Sequence, residues 1–289
     1  MGRIYHQRHD DILESERGCL HRALLGKEMK NRIVDPDKCV TVMALAFGIE
    51  IYRFLSQRNI PDLSVLDFYV LNALNSSLVE NLLCWLVPLL AAFACGKQFN
   101  AYYPLRKAIF TRTDRKKFVL QKAAESAVSS FLLVLFFYLC CFLFDVIIEE
   151  TACPGIHFGV SLNPDSVMFP ELYYAHPILY LAYYVLMISG YAAAFGMAGF
   201  LISCFTRNRV AVAIGPFAVM IVLSIGLMVI PNGYGMLFDF TSVSLLRKST
   251  LNYVSKPVQS FFNFIGPMIY LVLFRLLIRT AAGKEKLWQ

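Results

Sequence analysis

Charge is scarce in this chain. Asp, Glu, Lys and Arg make up 16% of its 289 residues, while 57% are apolar. A soluble protein of this length has too little interior for so many apolar side chains, so the composition predicts an integral membrane protein. Histidine is scarce too. His6, His9, His21, His157 and His176 are the five, and none falls in the middle of a predicted span. No H-E-x-x-H occurs, which argues against a membrane zinc protease. No G-x-x-x-x-G-K-[ST] occurs either: Gly26-Lys27, Gly96-Lys97 and Gly283-Lys284 are followed by Glu, Gln and Glu. The chain is therefore not its own P-loop ATPase. It also lacks a G-x-S-x-G nucleophile motif. The eight cysteines include no Cys-x-x-Cys pair, and only Cys153 falls in a predicted outer connection. No internal disulfide framework follows, and Cys140-Cys141 reads as buried thiols in an apolar run. The first 37 residues hold no uninterrupted apolar stretch, so no cleavable signal peptide is expected.

The apolar residues gather into six runs, each read against the roughly 20 residues a spanning helix needs. They cover about Val40 to Leu55, Leu78 to Cys95, Ala123 to Ile148, Ile178 to Phe205, Val210 to Ile230 and Phe261 to Ile278. Glu50 and Arg53 interrupt the first, and Pro88, Pro216 and Pro267 interrupt three others. Such prolines are compatible with bends in moving helices. With the N-terminus in the cytoplasm, 22 of the 27 Lys and Arg fall inside and five outside. That asymmetry places both termini in the cytoplasm of a multi-pass cell-membrane protein. It also accounts for the net charge of +7 without a nucleic-acid partner.

The predicted fold class is thus all-α, with six transmembrane helices over residues 39–281 and a cytoplasmic tail at 282–289. Residues 1–38 form a cytoplasmic segment. Within it Leu20, Leu24, Leu25 and Met29 share one helical face among cations, a pattern for an interfacial helix on the inner leaflet. The outer connection 149–177 has no Lys or Arg and carries Glu149, Glu150, Asp165 and Glu171. Topology alone explains the missing cations. Glu149 and Glu150 do not make a carboxylate pair, because adjacent helical residues point about 100° apart. The other outer connection, 231–257, is rich in Phe, Leu and Tyr and opens on a Pro-Asn-Gly turn.

Two sets of residues in the spans stand out. Glu50 is an ionisable group at membrane depth, a functional candidate by default. Pairing with Arg53, three residues on, is the plainer account. Gly190, Ala194, Gly196 and Gly199 put small residues near helical spacing in the fourth run. Small residues let membrane helices approach closely, either between subunits or within one.

The most distinctive stretch is the inner connection 100–122, NAYYPLRKAIFTRTDRKKFVLQK, which holds seven cations. Topology explains those cations but not the aromatic residues or the length. A short helix bearing Tyr103, Leu105, Ile109 and Phe110 among cations suits a cleft with acidic groups at its rim. The second-span end LVPLLAAFACGKQF, with Pro88 before Ala91-Ala92, and then TRTDRKKFVLQK carry a resemblance. The run from Trp85 to Lys122 resembles the permease subunits of ABC transporters of the type-two export class, including those of bacteriocin and lantibiotic export or self-immunity. Their corresponding string reads like tR-t-s-r-k-k-Y-l-x-s-K. It is matched at Thr111-Arg112, Arg115-Lys116-Lys117, Phe118 and Lys122. Where relatives often carry an acidic residue and Lys-Ser-Gly before it, this chain has Asn100-Ala101-Tyr102-Tyr103-Pro104.

The resemblance implies a cytoplasmic coupling helix between the second and third spans, docked on separate ATP-binding cassette ATPase subunits. The implied contacts are Tyr103, Leu105, Arg106, Lys107, Ile109, Phe110, Arg112, Arg115, Lys116 and Lys117. It also implies a second permease subunit, identical or related, and a setting among membrane lipids. ATP and magnesium would bind the partner ATPase, with no cofactor in this chain and no enzymatic activity of its own. Glu50 or the small-residue run would line the pathway or a helix interface. The expected cargo is a peptide antibiotic or hydrophobic compound. A membrane-embedded enzyme and a non-transporting immunity or scaffold protein are the alternatives.

Overall fold

The computed structural model describes residues 36–57, 78–95, 114–148, 169–206, 208–230 and 256–283. All the described secondary structure is helical: α1 (Pro36–Gln57), α2 (Leu78–Cys95), α3 (Arg115–Ile148), α4 (Pro170–Ala175), α5 (Pro177–Phe205), α6 (Arg209–Met228) and α7 (Lys256–Gly283). Four helices are long and apolar enough to cross a membrane: Lys116–Ile147 in α3, Pro177–Phe205 as α5, Arg209–Leu227 in α6 and Phe261–Gly283 in α7. They point to a membrane protein. Over its described side chains α2 carries a shorter apolar stretch, Trp85–Ala94, and Lys38 and Glu50 interrupt the apolar residues of α1.

Side-chain caps mark two starts. Asp114 Oδ1 accepts from the Lys116 N–H at 3.0 Å, and the Phe118 N–H donates to the Asp114 carbonyl at 3.0 Å. Asn208 Oδ1 accepts from the Val210 N–H at 2.9 Å and opens α6 in the same way. Each satisfies a backbone donor that a helix N-terminus leaves orphaned. The Asp114 cap moves the start of α3 well ahead of residue 123, where the apolar run begins. The basic residues from Arg115 to Lys122 are its first two turns, because cations carry no penalty against helix formation. Over 34 residues α3 is about 51 Å long, against a hydrocarbon thickness of about 30 Å. α1 and α7 likewise extend beyond their apolar runs, and α4 lies inside the connection 149–177. The predicted interfacial helix of residues 1–38 and the connection 231–257 fall, but for residues 36–38 and 256–257, outside the described residues. So does the tail from residue 284.

Contacts between helices give their relative directions. Lys38 at the start of α1 meets Ala94 at the end of α2, and Ser130 of α3 meets Ala91 of α2. Ser126 meets Gly196, while Tyr138 meets Tyr184 with ring centroids 6.0 Å apart, so α3 and α5 are antiparallel. Pro216 and Gly215 of α6 lie against Gly199 and Ile202 of α5, again antiparallel. Tyr183, Gly190 and Tyr191 of α5 meet Asn263, Pro267 and Tyr270 of α7 in rising order, so these two are parallel. The six long helices therefore alternate in direction along the chain.

α5 is the centre. It packs against α2, α3, α6 and α7, and 19 of its 29 residues are buried. The alternation sorts charge by end. Eight of the ten described Lys and Arg (Lys38, Arg115, Lys116, Lys117, Lys122, Arg209, Arg275 and Arg279) lie toward the end where α1, α3 and α6 start and α2, α5 and α7 finish. Arg53 and Lys256 lie toward the other.

Candidate functional site

The basic end is built from the start of α3 and its neighbours. Lys116 and Lys117 are exposed on the first turn. One turn further Lys122 turns inward, with Nζ 2.6 Å from Glu125 Oε2 and 6.0 Å from the centre of the half-buried Phe118 ring. Glu125 also accepts from the Gln121 amide at 3.2 Å. The predicted docking residues are thus divided. Lys116 and Lys117 stand at the exposed basic end, and the backbone of Arg115 lies beside them. Tyr103, Leu105, Arg106, Lys107, Ile109, Phe110 and Arg112 lie outside the described residues, as does the Arg115 side chain.

A second cation at this end was not legible as functional from its surroundings in the chain. Lys38 is buried, and its Nζ donates to the Ala94 carbonyl at 2.6 Å while standing 5.8 Å from the Phe93 ring centre. A positive charge on the last carbonyls of a helix is favourable to the helix dipole. Lys38 thereby ties the start of α1 to the end of α2.

Glu50 is on the opposite half of the bundle, and its side chain is buried. It belongs to the stripe Val42, Ala46, Glu50 on α1, which faces the bundle. The Phe47 and Phe144 rings meet at 4.8 Å, so the parallel helices α1 and α3 bring two buried carboxylates, Glu50 and Asp145, to the same half. The Arg53 side chain lies outside the described residues. Among the described residues no group of three or more His, Cys, Asp or Glu is arranged to hold a metal ion.

The small-residue run of α5 is the most tightly engaged feature. A Cβ built on Gly196 would collide with Ser130 Oγ and stand 3.1 Å from the Ser126 carbonyl oxygen. Ser126 Oγ donates to the Gly196 carbonyl at 3.0 Å, and Ser130 Oγ to the Ala91 carbonyl of α2 at 3.0 Å. A Cβ on Gly199 would stand 3.1 Å from Pro216 Cγ, and one on Gly190 3.2 Å from Pro267 Cβ. Ala194 is buried. These residues receive α3, α6 and α7 of the same chain.

The contacts at the prolines are reciprocal. Gly215, just before Pro216, sits under Ile202 of α5, and Gly266, just before Pro267, sits under the Tyr191 hydroxyl. Each proline ring fills the space over an α5 glycine, and each preceding glycine receives an α5 side chain. The sequence signal was the repeated triplet Ile214-Gly215-Pro216 and Ile265-Gly266-Pro267. α6 and α7 are thus interlocked with α5 at two heights nine residues apart, about 13 Å along the axis.

Aromatic rings fill the end opposite the cations. Tyr173 meets Tyr180 at 5.5 Å, Phe169 meets Tyr183 at 5.8 Å, and Tyr183 meets Phe264 at 5.6 Å. The Tyr183 hydroxyl accepts from the Asn263 amide at 3.2 Å. Tyrosine suits such a level, where one side of a ring is apolar and its tip polar.

Chemically, the basic end offers charge complementarity to acidic groups, and the interlocked core offers tight backbone approach. Comparison of the chain with family models, with curated proteins and with solved structures finds no match.

Proposed function

We propose that the chain is the membrane-spanning permease subunit of an ATP-driven exporter of the ABC type-two class, moving peptide or hydrophobic cargo. In this reading all six long helices cross the cell membrane, the basic end is cytoplasmic, and both termini lie on that side. Separate ATPase subunits supply ATP and magnesium chemistry, and a second permease subunit, identical or related, completes the pathway. The basic string is the observation that carries the reading. Thr111 to Lys122 matches the family pattern, and its second half begins α3 with Lys116 and Lys117 exposed at the cation-rich end. Segregation of cations to one end is what the positive-inside rule demands of a cytoplasmic face.

A force applied to the start of α3 has a short path into the bundle. α3 is joined to α5 by Ser126 and to α2 by Ser130, and α5 is interlocked with α6 and α7. Docking at Tyr103 to Lys117 would therefore move the helices together. The test is purification from native membranes. A P-loop ATPase is expected to accompany the chain and to be lost when Phe110, Arg112 and Arg115 are changed together to Ala. Purification that never brings down such an ATPase overturns the proposal. In reconstituted vesicles an enzyme would turn over without ATP and depend on Glu50, Glu149 or Glu150, whereas an immunity scaffold would bind cargo without moving it.

A further inference from the structure

We propose that Arg275 and Arg279 of α7 form a clamp for the phosphate of an anionic lipid headgroup. Both arginines are exposed, and so are Val272, Leu273, Leu276 and Leu277 around them. The pair therefore stands on an apolar strip turned away from the bundle, within the stretch Phe261–Gly283 that is apolar enough to cross a membrane. Arg275 lies eight residues before Gly283, about 12 Å along the helix. Helical Cα–Cβ bonds tilt toward the N-terminus, so Arg275 leaves the backbone toward the apolar middle and Arg279 leans back over it.

That placement is costly without an anion. Residues four apart on a helix are neighbours, and like charges at that spacing repel. An intramembrane guanidinium needs its five N–H donors satisfied. Among the described residues no acidic side chain forms an ion pair with either arginine. A phosphate between them answers both demands, since guanidinium forks bind phosphate oxygens two at a time. Charge balance favours lipid over a second copy of the chain. The described residues at this end carry eight cations against three acids, Asp37, Asp114 and Glu125, and Glu125 is already paired with Lys122. A copy docked here would bring more cations than acids. A lipid brings the anion and tails that cover the flanking Val and Leu side chains.

The clamp rests on the membrane reading but not on the transporter reading. The test uses the full chain in nanodiscs of phosphatidylcholine mixed with phosphatidylglycerol, with headgroup-specific spin labels to count the lipid held at the protein surface. The wild type is expected to hold phosphatidylglycerol in preference to phosphatidylcholine. R275Q/R279Q should weaken that preference by about fivefold for each arginine neutralised, the usual worth of one cation against an anionic leaflet. K116Q/K117Q should change it less, and R275K/R279K should fall between wild type and the double Gln variant. Equal losses in R275Q/R279Q and K116Q/K117Q would mean general attraction and overturn the clamp. A drop in dimer fraction with R275Q/R279Q at unchanged lipid preference would overturn it in favour of a partner chain. Failure of the chain to enter nanodiscs would sink the membrane reading itself, whereas an absent ATPase would leave the clamp standing.

Discussion

α5 and α6 invert the rule of soluble cores. α6 is about as apolar as α5, yet little of it is buried, while α5 is buried over most of its length. Ile214, Ile221, Val222 and Ile225 of α6 point away from the bundle. The buried surface of α5 is instead Tyr191, Gly196, Gly199, Ser203 and a run of alanines. In water, apolar area decides which side faces in. In lipid it does not, because hydrocarbon tails are as apolar as leucine, and closeness of packing decides instead. α5 takes the centre because its glycines and alanines let three helices approach. α6 takes the edge because its branched side chains suit lipid.

Substitutions can break or sharpen this contrast. The largest effect is expected at the edge: Val222→Lys puts a charge on the lipid face of α6 and should cost about 3 kcal/mol in a membrane-insertion assay. Val222→Leu should leave insertion unchanged. An unaffected Val222→Lys would mean that this face does not meet lipid. Next comes the centre. Gly196→Leu drives a side chain into Ser130 and should lower stability by about 2 to 3 kcal/mol in thermal unfolding of the detergent-solubilised chain. Gly226→Leu on α6, where a Cβ meets nothing within 4 Å, should stay within about 0.5 kcal/mol of wild type. Similar losses at both glycines would remove the distinction. A smaller change is expected from Ser126→Ala, which deletes the bond to the Gly196 carbonyl and should cost about 0.6 kcal/mol. The smallest is Ser189→Ala. Its buried hydroxyl has no hydrogen-bond partner among the described residues, so its removal should be neutral or slightly stabilising in the same measurement.

The helices themselves were legible because apolar runs are the dominant signal of chains in lipid. The run Leu78 to Cys95 coincides with α2, and the runs in α5 and α6 differ from their helices by only one or two residues. The early start of α3 was hidden because Arg115 to Lys122 read as a solvated loop, although Asp114 at its head is a helix-capping residue. The small run Gly190 to Gly199 was visible, but its partners were not, since nothing local says which helix a glycine will meet. Nothing in the local sequence marks the serine pair Ser126 and Ser130. Their role depends on Ala91 and Gly196, 39 and 70 residues away in sequence. Glu50 drew attention by its charge, while its burial came from the stripe it shares with Val42 and Ala46.

The paired Ile-Gly-Pro triplets bear on how this chain can change over generations. Each proline ring occupies the room left by a missing side chain on α5, so positions 199 and 216 are not free to vary alone, and neither are 190 and 267. A relative that carries a larger residue at one member should carry a smaller or straighter one at the other. The two couplings should appear as covarying pairs linking the fourth hydrophobic segment to the fifth and the sixth. Drift at one of these positions would be tolerated only after its partner has made room.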